Sequence, residues 1–553
     1  MEQPQSIYIN TPPTPEQPPH NAPQKPQVIQ QKPPLPYSRG DGWLLLLAVA
    51  VGYLFAKLVM APQVSMGFLP FSYPFILLAG MGTGTVGHLL FAAGFVVSLA
   101  VYIAFKRKKP ALSGVLAAAG ALALAASQMT HCNGVIHFLT AGLFLLLLCY
   151  AAYAAMGHRR KGQIFSDILY AAIVTPFSGL FCWFGIVKRA MSGSRKGKRA
   201  GHVAIGLLIA LPVTVAAAAL LVRADAAFSE LVNRFFSGFW VRLWSNIGYI
   251  LLGFPVALFA FGLMYNSAHA RHVNTVDPET TAKTRQSLRI APPVITVSAL
   301  TPVMLTYLAY FAVQFAYFTA AFASVLPQGY NHSEFARRGF FELCAVAGLN
   351  LVLLLCAMSF SKKTNTTKHF NAALSVFTLA FIGIAVSKMV MYIESWGFTR
   401  LRVYTTWFMT VLAVLFVLLL LKQYWRRLRV APIFIAAFLA LYALLAFGRT
   451  DAAIASLNVE YYGGEIATQG EVTLDAAPYI WRLVNDDDRA TAEAARLYLH
   501  RTEGVAEGRL DHWLYYNIAF TQAADTLNDF RNSAFYNDPV WPREEEYNRA
   551  RRP

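Results

Sequence analysis

Charged residues are scarce in this chain, and their scarcity limits the possible fold classes. Only 14% of the 553 residues are Asp, Glu, Lys or Arg, whereas 56% are hydrophobic. A soluble globular protein usually carries about 25% charged residues. The composition therefore argues against an ordinary soluble fold and predicts a membrane protein.

Acidic residues are few before residue 450, and cysteine is rare throughout. Residues 1–449 hold 37 Lys and Arg against 11 Asp and Glu, whereas residues 450–553 hold 10 Arg against 18 acids. The basic excess lies in short gaps between apolar runs, so it predicts membrane orientation and no nucleic-acid partner. Most of the five cysteines lie inside apolar runs, so we expect no disulfide framework.

Recognisable catalytic and cofactor motifs are absent as well. The sequence has no phosphate-binding glycine loop, no zinc-type Cys/His spacing and no nucleophile elbow. Two histidines, His88 and His137, lie near the outer ends of their predicted spans, and the loop nearby contains His131 and Cys132. This placement is compatible with a haem or metal site. Isolated histidines bonded to neighbouring helices are the commoner arrangement, so we assign no metal, no cofactor and no catalytic residue.

Long apolar runs dominate what is present, and each is near the 20 residues that a membrane-crossing helix needs. A Pro/Gln-rich stretch precedes them and predicts a disordered leader over 1–42, with the first apolar run as an uncleaved anchor. Met66–Gly80, which contains two prolines, is expected to form an outer loop or half-helix. We predict eleven spans: 43–60, 85–105, 111–129, 135–156, 202–222, 244–264, 293–318, 340–360, 371–392, 403–421 and 430–448.

The apolar segment Ile164–Val187 decides the topology, because basic clusters flank both of its ends. If it does not cross, the inner loops hold 24 Lys and Arg against 7 outside; if it crosses, the split is 14 against 17. The positive-inside rule favours the first arrangement, with the N-terminus cytoplasmic and the C-terminus outside. We therefore expect Ile164–Val187, interrupted by Pro176 and Gly179, to be a re-entrant or interfacial segment.

The predicted architecture is all-α, with a polytopic membrane helix bundle over 43–449 and a tail after it. Two further segments belong to this prediction. Arg223–Leu243 has apolar residues at helical spacing on one face and is expected to lie in the outer headgroup plane. The acidic tail 450–553 has helix-like stretches at Arg489–Arg501 and Arg509–Phe530. We predict that it forms a small helical extracytoplasmic domain, and that its acidic surface is available to a protein partner.

Charged residues cluster at the outer ends of the spans over 340–360, 371–392 and 403–421. Glu342 and Lys388 lie at similar depth on consecutive antiparallel helices, so their charges are expected to pair. One interpretation is an ionic clamp between helix ends. The other is an outer-face site that grips an anion, such as a lipid headgroup or envelope component, through arginines. The residues concerned are Glu334, Arg337, Arg338, Glu342, Lys388, Glu394, Arg400 and Arg402.

A polar stripe runs along the predicted span 293–318. Tyr307, Tyr310, Gln314 and Tyr317 are spaced three, four and three residues apart, which places them on one face of a helix. Polar groups often hold membrane helices together, so a packing seam is the simpler interpretation. A substrate pathway is the alternative, because prolines 292, 293 and 302 interrupt this span in the manner of transporter helices.

Two stretches carry a resemblance to a known family. Tyr330–Leu343 reads YNHSEFARRGFFEL and Tyr392–Met409 reads YIESWGFTRLRVYTTWFM. They resemble signature segments of a bacterial multipass membrane family classed only as a domain of unknown function. The resemblance covers Trp43 to the segment around Glu460 and implies a bacterial cytoplasmic-membrane protein. It brings no established activity.

Two classes of function follow from these observations. The first is a non-enzymatic envelope sensor or scaffold that uses the charged outer face and the acidic tail as partner surfaces. The alternative is a transporter or a protein that handles lipids or envelope precursors. Transporters usually show internal repeats and midplane coupling carboxylates. Neither is evident here, so the first class is preferred.

Overall fold

The computed structural model describes residues 35–60, 84–160, 162–192, 226–322, 332–425, 427–462, 473–506 and 516–537. The chain divides into two units, residues 1–36 and residues 37–553. The described residues form helices and no strand, apart from an isolated bridge between Ala291 and Ser361. The predicted all-α class is therefore confirmed.

The described residues form a succession of helices. From the N-terminal side they are α1 (Arg39–Phe55, continued by a π-helical turn Ala56–Met60), α2 (Val86–Phe105), α3 (Leu112–Ser127), α4 (Gly134–Ala155), α5 (Ile164–Gly179), α6 (Cys182–Ser192), α7 (Ala226–Ala268), α8 (Pro278–Ser287), α9 (Pro293–Phe322), α10 (His332–Phe360), α11 (Asn365–Trp396), α12 (Arg400–Tyr424), α13 (Val430–Phe447), α14 (Thr450–Tyr461), α15 (Ala477–Ile480), α16 (Arg489–Ala506) and α17 (Ile518–Arg531).

Nine stretches of these helices in the described part of the chain are long and apolar enough to cross a membrane. They correspond to nine of the eleven predicted spans, so this is a multi-pass membrane protein. The stretches are Gly40–Met60, Val86–Phe105, Gly134–Ala155, Asn246–Ala268, Pro293–Val313, Glu342–Phe360, Asn365–Trp396, Arg400–Tyr424 and Val430–Phe447.

The other predicted segments have different outcomes. The span predicted over 111–129 is an apolar helix of only 16 residues, Leu112–Ser127. At 1.5 Å per residue it is roughly 24 Å long, somewhat shorter than the hydrocarbon core. The span 202–222 and the segment Met66–Gly80 lie outside the described residues.

The bundle has two ends with different contents. At one end, which we call the tail end, α2, α4, α10 and α12 begin and the helices α14–α17 are attached. The opposite end carries Lys106, Lys108, Lys362 and Lys363 in its short loops, and we call it the basic end. The positive-inside rule predicts that the basic end is cytoplasmic.

The segment predicted to be re-entrant or interfacial is bent as expected. α5 and α6 meet at an angle of 52°. Asp167 near the start of α5 accepts a hydrogen bond from Asn274, and Thr175 further along it donates to the carbonyl of His272. Both contacts fall on the short connection after α7, whereas Gly179 at the end of α5 lies against Gly262 within α7. The bent pair has the geometry of a re-entrant segment or of a broken span.

One face of this bent segment is apolar and outward-facing. Side chains at nearly every fourth residue are more than half exposed, whereas Asp167, Thr175 and Gly179 on the other face are buried. An apolar stripe of this kind is typical of a helix that lies against lipid. The exposed residues are Phe165, Leu169, Ile173, Phe177, Phe181 and Phe184.

The boundary predicted at Leu243 is absent. Residues 226–268 form one continuous helix of 43 residues, α7, which passes through Pro255. At 1.5 Å per residue it is roughly 65 Å long, about twice the hydrocarbon core. The expected separate interfacial helix over Arg223–Leu243 is therefore wrong for residues 226–243, because nothing between this stretch and the span breaks the helix.

Glycines allow the closest helix contacts. A Cβ atom on Gly52 of α1 would collide with the carbonyl oxygen of Gly253 on α7. A Cβ atom on Gly179 of α5 would meet the backbone of Gly262. α7 therefore packs directly against the backbones of α1 and α5, as small residues permit in membrane helix interfaces.

The tail has a small apolar core of its own, to which α14–α17 contribute. The predicted helical stretches 489–501 and 509–530 correspond to α16 and α17, while residues 507–515 lie outside the described part. The Asn517 side-chain nitrogen lies within hydrogen-bond distance of the carbonyls of Gly84, Gln128 and His131 and fastens the start of α17 to the bundle. The described tail and the bundle belong to one compact unit.

Candidate functional site at the junction of bundle and tail

Buried charged and polar side chains meet where the tail docks on the bundle. The loop between α3 and α4 contributes His131 and Asn133, and α12 contributes Arg400. Arg449 precedes α14, whose first turn contributes Asp451, and the residues before α15 contribute Thr473 and Asp475. We call these seven residues the joint site.

Asp451 is 1% exposed and is surrounded by hydrogen-bond donors. Asn133 donates through its amide to both carboxylate oxygens, at 3.2 and 3.1 Å. Thr473 donates its hydroxyl at 2.8 Å, and the Arg400 Nε lies 3.9 Å from Oδ1. Asn133 also caps α4 by accepting from two backbone amides, so the geometry of Asp451 depends on that helix start.

Asp475 is fully buried but has fewer partners. Its Oδ2 accepts from the backbone amide of Cys132 at 2.7 Å and lies 3.1 Å from the Thr473 hydroxyl. Its Oδ1 has no hydrogen-bond partner among the described residues, and the guanidinium of Arg449 is 3.9 Å away. The Thr473 hydroxyl thus lies between two buried carboxylates.

Burial makes both carboxyl groups hold their protons more tightly than in water. It raises the pKa of Asp475 to about 6. The Cys132 amide and the Thr473 hydroxyl oppose that rise, and the nearby Asp451 carboxylate adds to it. Burial likewise raises the pKa of Asp451, against the hydrogen bond from Thr473 and the charge of Arg400.

The pKa of His131 shifts in the opposite direction. Burial, together with repulsion from Arg449, lowers the pKa of its imidazole to about 4. The ring stacks on His137 at a centroid distance of 4.2 Å, and its Nε2 has no hydrogen-bond partner among the described residues. Between about pH 4 and pH 6 the joint site therefore holds an uncharged acid and an uncharged base.

Two of the predicted site residues lie at or beside this joint. Arg400 faces Asp451, as described above. Arg402 donates to the carbonyls of Trp396 and Gly397 and stacks on the Tyr392 ring, 4.0 Å from its centroid. Both arginines are therefore engaged by groups of the protein, which is compatible with the ionic clamp; binding of an external anion stays a prediction.

The other predicted residues of the charged cluster are placed as follows. Lys388 is buried in α11, and the charge of the exposed Glu342 on α10 acts on it. Glu394 is exposed near the end of α11. Glu334, Arg337 and Arg338 lie in the first turns of α10, but their side chains are outside the described part.

The tyrosine stripe on α9 leads into a packed seam. Tyr307 donates to the Asn350 side-chain oxygen at 2.6 Å, and Asn350 donates to Thr378 at 3.0 Å. Tyr310 contacts Phe381 in the same apolar core. The side chains of Gln314 and Tyr317 lie outside the described part, so the choice between seam and pathway stays open for them.

The histidines predicted as structural have polar partners nearby. His137 Nδ1 lies 2.6 Å from the Gln128 side-chain oxygen, and His88 Nδ1 is 3.4 Å from the backbone amide of Thr85. Among the residues that the structure describes, no group of three His, Cys, Asp or Glu side chains is arranged to hold a metal ion.

Sequence reasoning did not identify Asn133, Asp451 or Asp475. The tail contains 18 acids, and nothing in their spacing separates the two that become buried. The one available signal is the position of Asp451, three residues after the predicted span 430–448, where an acid at a membrane boundary needs a partner.

Comparison with known proteins gives a family and no activity. No curated protein and no solved structure matches the chain significantly. The family model described as Domain of unknown function (DUF4153) matches residues 89–483. The match covers well over half of the chain, including α3–α14 and the joint site, so this multi-pass membrane protein belongs to the DUF4153 family.

Proposed function

We propose that this protein is a non-enzymatic sensor or scaffold of the bacterial cytoplasmic membrane, in which the helical tail responds to conditions at the joint site. The observation that carries the proposal is the fully buried, incompletely paired Asp475 between bundle and tail. A buried group of this kind stores a free-energy cost that docking of the tail must offset. Changes in its charge therefore change how firmly the tail is held.

The acid and the base of the joint site give opposite pH dependence. The pKa of Asp475 rises from 3.8 to about 6 on docking, so its contribution is fully present below pH 4 and is lost as the pH rises to 6. The pKa of His131 falls from 6.5 to about 4, so its contribution is present above pH 6.5 and is lost as the pH falls to 4. Each is worth about 3 kcal/mol.

Asp451 contributes to docking in the same pH direction as Asp475, because its pKa is also raised. Arg400 and Arg449 face the two carboxylates from the starts of α12 and α14. The wild-type protein thus contains two opposing contributions that partly cancel. Variants that remove one partner at a time separate them.

The test is amide hydrogen exchange of α16 and α17 in the full-length protein, corrected for the intrinsic pH dependence of exchange. We expect Asp475→Asn to give docking that strengthens as the pH rises from 4 to 6.5. We expect His131→Gln to give docking that weakens over the same interval. The same slope in both variants, or protection independent of both residues, would contradict the proposal.

A further inference from the structure

A cavity of about 700 Å³ opens at the basic end of the bundle, far from the joint site. Its walls come from the turn before α5 (Gly162, Gln163), from α8 with the residues that follow it, and from the loop between α10 and α11. Its volume is within the range of small-molecule sites in proteins.

The lining is strongly basic. Arg285, Arg289, Lys362 and Lys363 line the cavity, and none of its lining residues in the described part is acidic. The Nε of Arg289 is buried without a hydrogen-bond partner among the described residues. Cations that share one cavity repel one another, so the arrangement favours an anion between them.

The walls are tied together by hydrogen bonds that fix the basic residues in place. The Gln163 side chain donates to the Thr281 hydroxyl on α8 at 2.7 Å. The backbones of Ala291 and Lys362 bond at 3.1 Å, and Ala291 also bonds the carbonyl of Phe360 at 3.0 Å. These bonds join the segments that carry Arg289 and Lys362, which come from two distant parts of the chain, as in a preformed site.

Exposed apolar residues lie directly beside this basic cavity. Ile290 and Val294 are each 75% exposed where α9 enters the bundle, and Phe360 is 45% exposed where α10 leaves it. Since α9 begins and α10 ends beside the cavity, and both are long and apolar enough to cross a membrane, we expect the cavity at the level of the lipid headgroups.

We propose that this cavity binds the phosphate group of an anionic lipid. Arginine forks match phosphate oxygens in pairs, so Arg285 and Arg289 hold the phosphate, while Lys362 and Lys363 supply further charge. The acyl chains lie along Ile290 and Val294. Basic pockets between membrane helices bind anionic headgroups by the same means. A free phosphate ion has the same phosphate chemistry as the headgroup, but it has no acyl chains to contact Ile290 and Val294.

The test measures how much anionic lipid the full-length protein retains. Wild type and variants are placed in phosphatidylcholine nanodiscs with a minor fraction of phosphatidic acid, released, and analysed by native mass spectrometry. We expect Arg285→Gln and Arg289→Gln each to weaken retention roughly tenfold. Lys283→Gln removes a charge from the same helix α8 outside the cavity lining, and we expect it to change retention by less than about twofold.

A second arm separates lipid from free phosphate. Inorganic phosphate is added to the wild-type protein in phosphatidylcholine alone, and thermal melting is compared with that in the presence of phosphatidic acid. Stabilisation by phosphatidic acid that is lost in Arg285→Gln supports the proposal. Equal stabilisation by phosphate alone would assign the cavity to a soluble anion, and equal loss in Lys283→Gln would reduce it to general surface charge; either result overturns the lipid site.

Discussion

Asp41 and Asp475 are both fully buried, but they lie at opposite ends of the molecule and have different surroundings. Asp41, at the basic end, has the Lys106 ammonium at 2.6 Å, the Tyr102 hydroxyl at 2.8 Å and His269 Nε2 at 3.1 Å. Asp475, at the tail end, has its nearest cation 3.9 Å away and one oxygen without a hydrogen bond.

The difference separates a structural acid from a responsive one. Asp41 itself lies in α1 and its partners come from the end of α2 and the residue after α7, so the ion group fastens three membrane helices to one another. Close donors on both carboxylate oxygens offset the cost of burying the group. Asp475 is left partly uncompensated, and its raised pKa makes its charge depend on pH near 6. Incomplete pairing at a joint between two parts of a protein is thus a better indicator of function than burial alone.

The largest effect is expected from removing the cation beside Asp41. Lys106→Met leaves a buried carboxylate without its main partner and is expected to reduce the free energy of unfolding by about 3–5 kcal/mol. The measurement is unfolding in mixed micelles of increasing sodium dodecyl sulfate content. Lys108→Met is the matched control, because among the described residues the Lys108 ammonium donates its one hydrogen bond to the backbone carbonyl of Ala268.

The control should lose no more than about 1.5 kcal/mol, the usual range of one hydrogen bond. Combining Lys106→Met with Asp41→Asn removes the uncompensated charge and should recover part of the loss. Equal destabilisation by Lys106→Met and Lys108→Met would show that Asp41 is not compensated in the way its distances indicate.

The same comparison explains what could be predicted from the sequence. Hydropathy is a local property, so nine of the predicted spans and the bend near Gly179 were found from runs of residues. The pairing of Asp41 with Lys106 and His269 joins three distant parts of the chain, and no local pattern contains it. The sequence does not identify Asp451 and Asp475 for the same reason, because their burial depends on docking of the tail.

The continuous helix α7 shows a second limit. The sequence pattern changes near Leu243 from amphipathic to uniformly apolar, which predicted a lying helix followed by a crossing one. A change in polarity does not interrupt backbone hydrogen bonding, and no helix-breaking residue occurs at that point. The helix therefore continues through the change, and the sequence alone did not distinguish a bend from a straight extension.

A smaller effect is expected from the hydroxyl between the two tail-end acids. Thr473→Val keeps the shape of the side chain but removes the donor to Asp451 and Asp475, 2.8 and 3.1 Å away. We expect tail docking to weaken by about 1–3 kcal/mol at neutral pH, where Asp475 carries charge. Exchange protection of α17 measures the change. The loss should shrink at pH 4, where Asp475 is protonated and needs less compensation. A loss that is constant with pH would contradict this interpretation.

The smallest effect is expected from a short but exposed ion pair on α16. The Nε of Arg489 is 2.9 Å from Glu493, closer than Arg449 is to Asp475, but its side chain is 81% exposed. Water and salt screen such a pair, so Arg489→Gln should change the unfolding free energy by no more than about 0.5 kcal/mol. A loss above about 1 kcal/mol in the micelle assay would contradict this expectation. Together with Lys106→Met, the result would show that burial and completeness of pairing, and not distance alone, set the contribution of an acid in this fold.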